Sequence, residues 1–370
     1  MVKRKREIRV CDGLLVLALL ILASALAGTS GYGTMARAVA SDGDPLLSYP
    51  IGWPDQPLGD GFIVRHGYAT ENAWYNPGWW HTAEDWYAIE DETAGAGVYA
   101  IAPGEVVFAG SDYPGRVVIV QHGDDLYSMY GHLDPALSVE PGDVVERGQL
   151  LGTVHRRTDG RAPSHLHFEV RTFLTTDEIN GSSPRYGYGC GVDCPPGPGY
   201  WPMDAPEHPS ALGWRNPTHV IARRAFPDGP DEIAAEVVVA THPTATTTSL
   251  WSAPAYLAGA RQIGQLRLRP GDRYSLLEAR AGPESSWLTS AEAYRLWYRI
   301  EIEGDGEAWV EAAVPSDLET GTDGRPSSIR FNFLPLTVAK GTEAARRQGG
   351  KGIEVRGGSS NAAPPTWNPV

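Results

Sequence analysis

Between residues 98 and 152 the chain breaks into short apolar runs separated by Pro-Gly dipeptides, and this punctuation restricts the fold more than any other feature. Val98–Ala102, Glu105–Ala109, Arg116–His122 and Leu126–His132 read as strands, and Val144-Val145 and Leu150-Leu151 continue the pattern. Pro103-Gly104, Pro114-Gly115 and Pro141-Gly142 stand at the corners. Proline fixes φ and lacks an N–H, while glycine accepts φ > 0, so the pair closes a turn and cannot extend a helix. No stretch of this region keeps helical periodicity over three turns. The 43 glycines and 30 prolines among 370 residues point the same way. The expected class is all-β, mostly antiparallel.

One further strand carries chemistry. In Ser164-His165-Leu166-His167-Phe168-Glu169 two histidines share a strand face, about 6.6 Å apart at ~3.3 Å per residue. One imidazole can bind a metal while the other stands beside the metal's water. Upstream, His81-Thr82-Ala83-Glu84-Asp85 offers an imidazole and a carboxylate. Two histidines and one aspartate make three N/O ligands and leave a fourth tetrahedral position open, the pattern of a catalytic rather than a structural zinc. Tyr130-Gly131-His132-Leu133 adds another histidine at a strand end. Glu84 is a rival ligand, but its side chain belongs on a different face from Asp85. The residues read as a zinc hydrolase.

His81…Asp85, Tyr130-Gly131-His132-Leu133 and His165-Leu166-His167-Phe168-Glu169, in this order over about ninety residues, resemble the LytM-like, lysostaphin-type zinc endopeptidases of bacteria. The match covers roughly residues 60–172. The resemblance implies an antiparallel β metallopeptidase domain of the duplicated hybrid kind. His81, Asp85 and His167 would be the Zn2+ ligands, His132 and His165 the non-ligating catalytic pair, and a peptide bond of peptidoglycan the substrate. Amide hydrolysis needs an activated water and a positive charge for the developing oxyanion, and zinc supplies both. His165 is placed to take the proton, His132 to stabilise the tetrahedral intermediate, and Glu169 to orient an imidazole from behind. Family members usually have glycine where this chain has Ala83, and alanine would be strained there at positive φ. The alternative is a non-catalytic wall-binding or amidase-activating protein on the same fold. Such relatives typically lack the zinc ligands, and this chain keeps all five positions.

Residues 3–6 are Lys-Arg-Lys-Arg, and an apolar run from Leu14 to Ala27 follows. That is a secretory signal or an N-terminal anchor over residues 1–40, with cleavage after Ala27 or Ala40, so the expected location is secreted or cell envelope. The chain's net charge is −14; residues 1–27 hold five basic and two acidic side chains, so their removal leaves −17. An acidic protein gains nothing from counterion release, which excludes nucleic acid as the expected partner. Cys190 and Cys194 form a C-x3-C pair in a Pro/Gly-rich loop. Export makes a disulfide the expected state, and a second metal site would lack nearby partner cysteines.

The metallopeptidase domain is expected over 41–225, with the cysteines in an insertion at 173–215 that also carries Tyr186, Tyr188, Tyr200 and Trp201. Residues 226–244 read as a linker with an embedded strand at 236–240. Residues 245–316 resemble bacterial Src-homology-3-like domains through Ile263-Gly264-Gln265-Leu266, Pro270-Gly271-Asp272, Trp297-Tyr298-Arg299-Ile300 and Gly306–Val310. Such a module implies wall binding or a spacer. Residues 317–370 read as a partly disordered tail after an apolar run at 331–338.

Overall fold

Leu166, Phe168 and Val170 leave the strand Leu166–Arg171 on its core side, while His167, Glu169 and Arg171 leave it on the other. A period-2 element of this kind fixes which residues can meet. The computed structural model describes residues 47–73, 76–90, 92–110, 115–123, 125–160, 162–174, 199–224, 233–282, 295–304, 306–320 and 326–339. The expected signal segment, Cys190, Cys194 and the tail beyond 339 lie outside these residues. No helix among the described residues is long and apolar enough to cross a membrane.

The observed class is mostly β, as expected, with helices only at Pro209–Leu212 and Pro217–Arg224 among the described residues. The expected strands appear within a few residues, as Gly97–Tyr99, Gly104–Gly110, Arg116–Gln121 and Tyr127–Leu133. All strand pairs are antiparallel in the main sheet, where the order runs 144–145, 104–110, 116–121, 127–133, 166–171, 84–88, 62–66. The strand Leu166–Arg171, which bears His167 and directly follows His165, thus lies between the strand that carries His132 and the strand holding Asp85. Two small sheets flank it, one of 51–52, 97–99 and 150–153, the other of 200–202, 76–81 and 71–72.

The same sheet continues past Phe62–His66 into 326–331, 306–320, 296–302, 273–281, 233–239 and 333–339. The strand expected at 236–240 is observed at 233–239, and it is paired on both sides, to 273–281 and 333–339. Residues 326–339, expected within a tail, form two strands with Ile329, Phe331, Phe333 and Leu334 buried. The physical reason is aromatic packing. Phe331 stacks on Trp86 with centroids 5.2 Å apart and planes at 9°, and Tyr49 closes on both rings at 5.2 Å. Asp60 accepts hydrogen bonds from the Thr241 backbone and hydroxyl, and Val64 pairs with Ile329. The N-terminal and C-terminal strands therefore bury one continuous core rather than two separate ones. Residues 245–316 contain the strands 247–251, 262–267, 273–281 and 296–302 and the first part of 306–320.

Candidate metal centre

Register brings the site together. In the pairing of 166–171 with 84–88, His167 lies opposite Asp85, and in its pairing with 127–133 it lies opposite Gly131. Gly131 leaves room there, since a Cβ on it would stand 3.3 Å from His167 Cβ. His81 ends the strand Asn76–His81, and its neighbours Thr82 and Ala83 turn the chain into the Asp85 strand. Ala83 is buried and is absent from the positive-φ residues, so this turn does not need glycine. The unusual backbone sits at His132, whose φ is 63°. A non-glycine residue at positive φ is uncommon and collects at functional sites. Gly115, itself at φ +86°, lets the neighbouring turn approach: a Cβ on it would meet Leu133 O at 2.7 Å.

His81 Nε2, Asp85 Oδ1 and His167 Nδ1 form a nearly equilateral triangle. Its edges are 3.3 Å from His81 to Asp85, 3.2 Å from His167 to Asp85 and 3.2 Å between the imidazoles. Tetrahedral bonds of about 2.0–2.1 Å place ligand atoms about 3.3 Å apart, so the spacing and the two-nitrogen, one-oxygen donor set fit Zn2+. This is the one cluster of such groups among the described residues. The three residues are 0%, 2% and 5% exposed. Buried this deeply, the three groups have one another as hydrogen-bonding and ionic partners.

What stands behind each ligand fixes its proton. His167 Nε2 lies 3.3 Å from Glu169 Oε1, which also accepts from the Thr82 hydroxyl at 2.9 Å. The other Glu169 oxygen accepts from Arg171 and from the Trp214 indole, each at 3.2 Å. Glu169 thus accepts the hydrogen bond from Nε2–H and turns Nδ1 of His167 toward the triangle. Burial opposes a charged His167, but Asp85 and Glu169 outweigh it and hold its pKa up at about 9 without a metal. Burial likewise works against the Asp85 carboxylate, yet His81 and His165 keep it well below the usual carboxylate range. His81 Nδ1, on the far side of that ring, has no hydrogen-bond partner among the described residues.

His165 differs. Its Nδ1 lies 2.8 Å from Pro163 O, to which it donates, leaving Nε2 unprotonated 3.6 Å from Asp85 Oδ2. Burial pushes its pKa down to about 4, with Asp85 and Pro163 opposing, so it is neutral near pH 7. The His132 ring meets His165 edge-on at 4.6 Å and His167 at 5.7 Å. All six sequence-predicted residues, His81, Asp85, His132, His165, His167 and Glu169, therefore assemble. Cys190 and Cys194 lie outside the described residues. Glu84 points away, as expected, and accepts from the Thr218 backbone at the start of the helix Pro217–Arg224. Burial raises its pKa to about 7.

Three further neighbours border the site: His66 and Tyr87, which the sequence did not single out, and Tyr200, which it named only among the aromatics of the insertion. His66 lies opposite Asp85 and meets the His81 ring edge-on at 6.3 Å. Tyr87 stacks on His165. Tyr200 lies opposite His81 in the 200–202 pairing, with its ring 5.3 Å from His81 and 6.3 Å from His167. An i, i+2 pattern with Asp85 would have flagged Tyr87. The others depend on long-range register.

The profile of peptidase family M23 matches residues 85–181, a span that holds Asp85, His132, His165, His167 and Glu169 and begins four residues after His81. The cell division protein DipM of Caulobacter vibrioides is 38% identical over 79 residues, 21% of this chain and 13% of that protein. The murein hydrolase activator NlpD of Escherichia coli K12 is 37% identical over 79 residues, 21% of this chain and 20% of that one. Lipoprotein NlpD of Yersinia enterocolitica is 37% identical over 79 residues that make up 78% of its sequence and 21% of this chain. The chain thus spans about a fifth or less of the length of the first two relatives. Among solved structures, the catalytic domain of the prophage-encoded M23 protein EnpA from Enterococcus faecalis aligns at 26% identity with a TM-score of 0.27, over 34% of this chain and 87% of that one. Lysostaphin from Staphylococcus simulans aligns at 15% identity with a TM-score of 0.29, over 78% of this chain and 95% of that one.

Proposed function

Because the chain belongs to peptidase family M23, we propose that it is an exported zinc metalloendopeptidase that hydrolyses peptide bonds in peptidoglycan. The observation that carries this reading is the triangle of His81 Nε2, Asp85 Oδ1 and His167 Nδ1, with two further imidazoles beside it. In this reading His81, Asp85 and His167 hold the ion, which supplies Lewis acidity and lowers the pKa of a bound water. Glu169 keeps the Nδ1 lone pair of His167 aimed inward. His165, neutral and with its Nδ1 proton committed to Pro163, accepts a proton at Nε2 and delivers it to the leaving amine. His132, held at positive φ across from it, donates toward the charge that develops on the carbonyl oxygen. The cysteine pair as a disulfide, the N-terminal signal and wall binding by the C-terminal strands complete the proposal.

A second reading follows from relatives named as murein hydrolase activators. An activator that works by binding alone has no need of this donor set, and retention of His81, Asp85, His132, His165 and His167 favours the enzyme. The test is zinc analysis of the purified chain together with mass spectrometry of muropeptides after incubation. About one zinc per chain and new amine termini, both abolished by a chelator, are expected. Intact zinc-bound protein that cleaves no sacculus or muropeptide, but stimulates a separate amidase, would establish the activator.

A further inference from the structure

The strand Glu84–Ala88 shows two faces to two different neighbours. Glu84 and Trp86 leave it toward the Thr218 helix and the Phe331 ring. Asp85 and Tyr87 leave it on the opposite face, toward the histidines. In the pairing with 166–171, Asp85 lies opposite His167 and Trp86 opposite Leu166, and one more step along that register brings Tyr87 to His165. The two rings stack there, with centroids 4.7 Å apart and planes at 23°. Tyr87 is buried.

A third layer comes from the next strand. The pairing of 62–66 with 84–88 slips between Val64 and His66, so Arg65 is the extra residue of a β-bulge. A bulge re-aims the side chain it carries, and bulges gather near active sites. Here the Arg65 guanidinium lies over the Tyr87 ring, 4.9 Å from its centroid. The bulge is braced from behind: Gly67 N donates to Ser327 O, and the Ser327 hydroxyl donates to Arg65 O.

We propose that Tyr87 and Arg65 are positioning residues for His165, a guanidinium–phenol–imidazole stack that fixes the plane of the proton-accepting ring. One hydrogen bond, from Nδ1 to Pro163, leaves an imidazole free to swing about that contact. A flat ring against its face removes the swing, and the cation on the far side holds the phenol in place. Nε2 then keeps one direction, beside Asp85 Oδ2. This inference rests on the hydrolase reading above for its consequence, though not for its geometry.

The experiment uses the full chain loaded with zinc, in the variants Tyr87→Leu, Tyr87→Phe and Arg65→Met. Each is measured for zinc content, unfolding midpoint, kcat and KM on a soluble muropeptide, and the imidazole spectrum of 15N-labelled histidine, with His165→Ala to assign the signal. Tyr87→Leu should keep its zinc and lose kcat on the order of 10- to 100-fold with KM little changed, the cost of a misdirected catalytic group. Its His165 signal should pass from one Nδ1-protonated tautomer to an average of two. Tyr87→Phe, which keeps the ring, should restore both readings. Arg65→Met should blur the same tautomer signature, and it decides the matter should Tyr87→Leu not fold. An unchanged His165 signal in both Tyr87→Leu and Arg65→Met, or equal damage in Tyr87→Phe and Tyr87→Leu, would overturn the stack. A wild-type chain that cuts nothing would sink the hydrolase reading, and the tautomer measurement would still decide on the stack.

Discussion

Replacing Phe331 with alanine separates two views of this chain: a metal-binding domain with an independent module behind it, or one folding unit. Phe331 is 3% exposed and makes ring contacts with Trp86 and Tyr49. Trp86 follows Asp85 on the same strand, so the cavity left by Phe331→Ala opens beneath a metal-ligand strand. Truncating a buried phenylalanine to alanine costs about 3–5 kcal/mol. With a urea dependence of about 3 kcal/mol per molar, typical at the upper end of the range, the midpoint falls by roughly 1–1.7 M. The assay is urea unfolding of the zinc-loaded chain, followed by tryptophan fluorescence and by a dye that reports released zinc. Both signals should move together to the lower midpoint. If zinc instead left at the wild-type urea concentration while fluorescence showed a separate early transition, the C-terminal strands would be melting alone and the shared-core argument would be wrong.

His167→Ala should lose zinc, because two protein ligands hold a divalent ion poorly, whereas His165→Ala should keep zinc and lose turnover by about 10²–10⁴-fold; zinc emptied by the second substitution but not the first would reverse the assignments. Zinc uptake at pH 7 should release about one proton, since His167, held up at about 9, must give up its proton to bind, and affinity should weaken about tenfold per unit as pH falls below that value; calorimetry in buffers of different ionisation enthalpy reads the proton count. Glu84 is protonated more readily folded than unfolded, so its contribution to stability is present below its ordinary 4.5 and is lost as pH rises through about 7. That is about 3 kcal/mol, and Glu84→Gln should flatten the slope in urea titrations at pH 4.5–8, whereas an unchanged slope would locate the titrating group elsewhere. Truncation after Arg224 should give an insoluble or metal-free product by exposing Val64, Trp86 and Tyr49, and a soluble, zinc-bound fragment would refute it.

The strands around the site and the grouping of its residues were readable from the chain because both rest on short-range rules. Pro-Gly corners and β-rich runs mark Gly104–Gly110, Arg116–Gln121 and Tyr127–Leu133. Alternation alone puts His167 and Glu169 on one face, opposite the core-facing Phe168. Side-chain chemistry narrows the ion: two imidazoles and one carboxylate suit zinc. What local rules cannot carry is register between distant strands. Tyr87 is an ordinary strand tyrosine until pairing brings it to His165, and Arg65 is an ordinary surface cation until a bulge turns it over that ring. The same holds for the C-terminal segment. Phe331 looked like part of a tail because nothing near it in sequence offers a partner, and its partners Trp86 and Tyr49 lie more than 240 residues away. Sequence determined which groups were available to hold a metal and that they would sit on strands. Tertiary structure decided which way the catalytic imidazole is held and how much of the chain shares one core, because both depend on contacts whose partners only the folded sheet brings within reach.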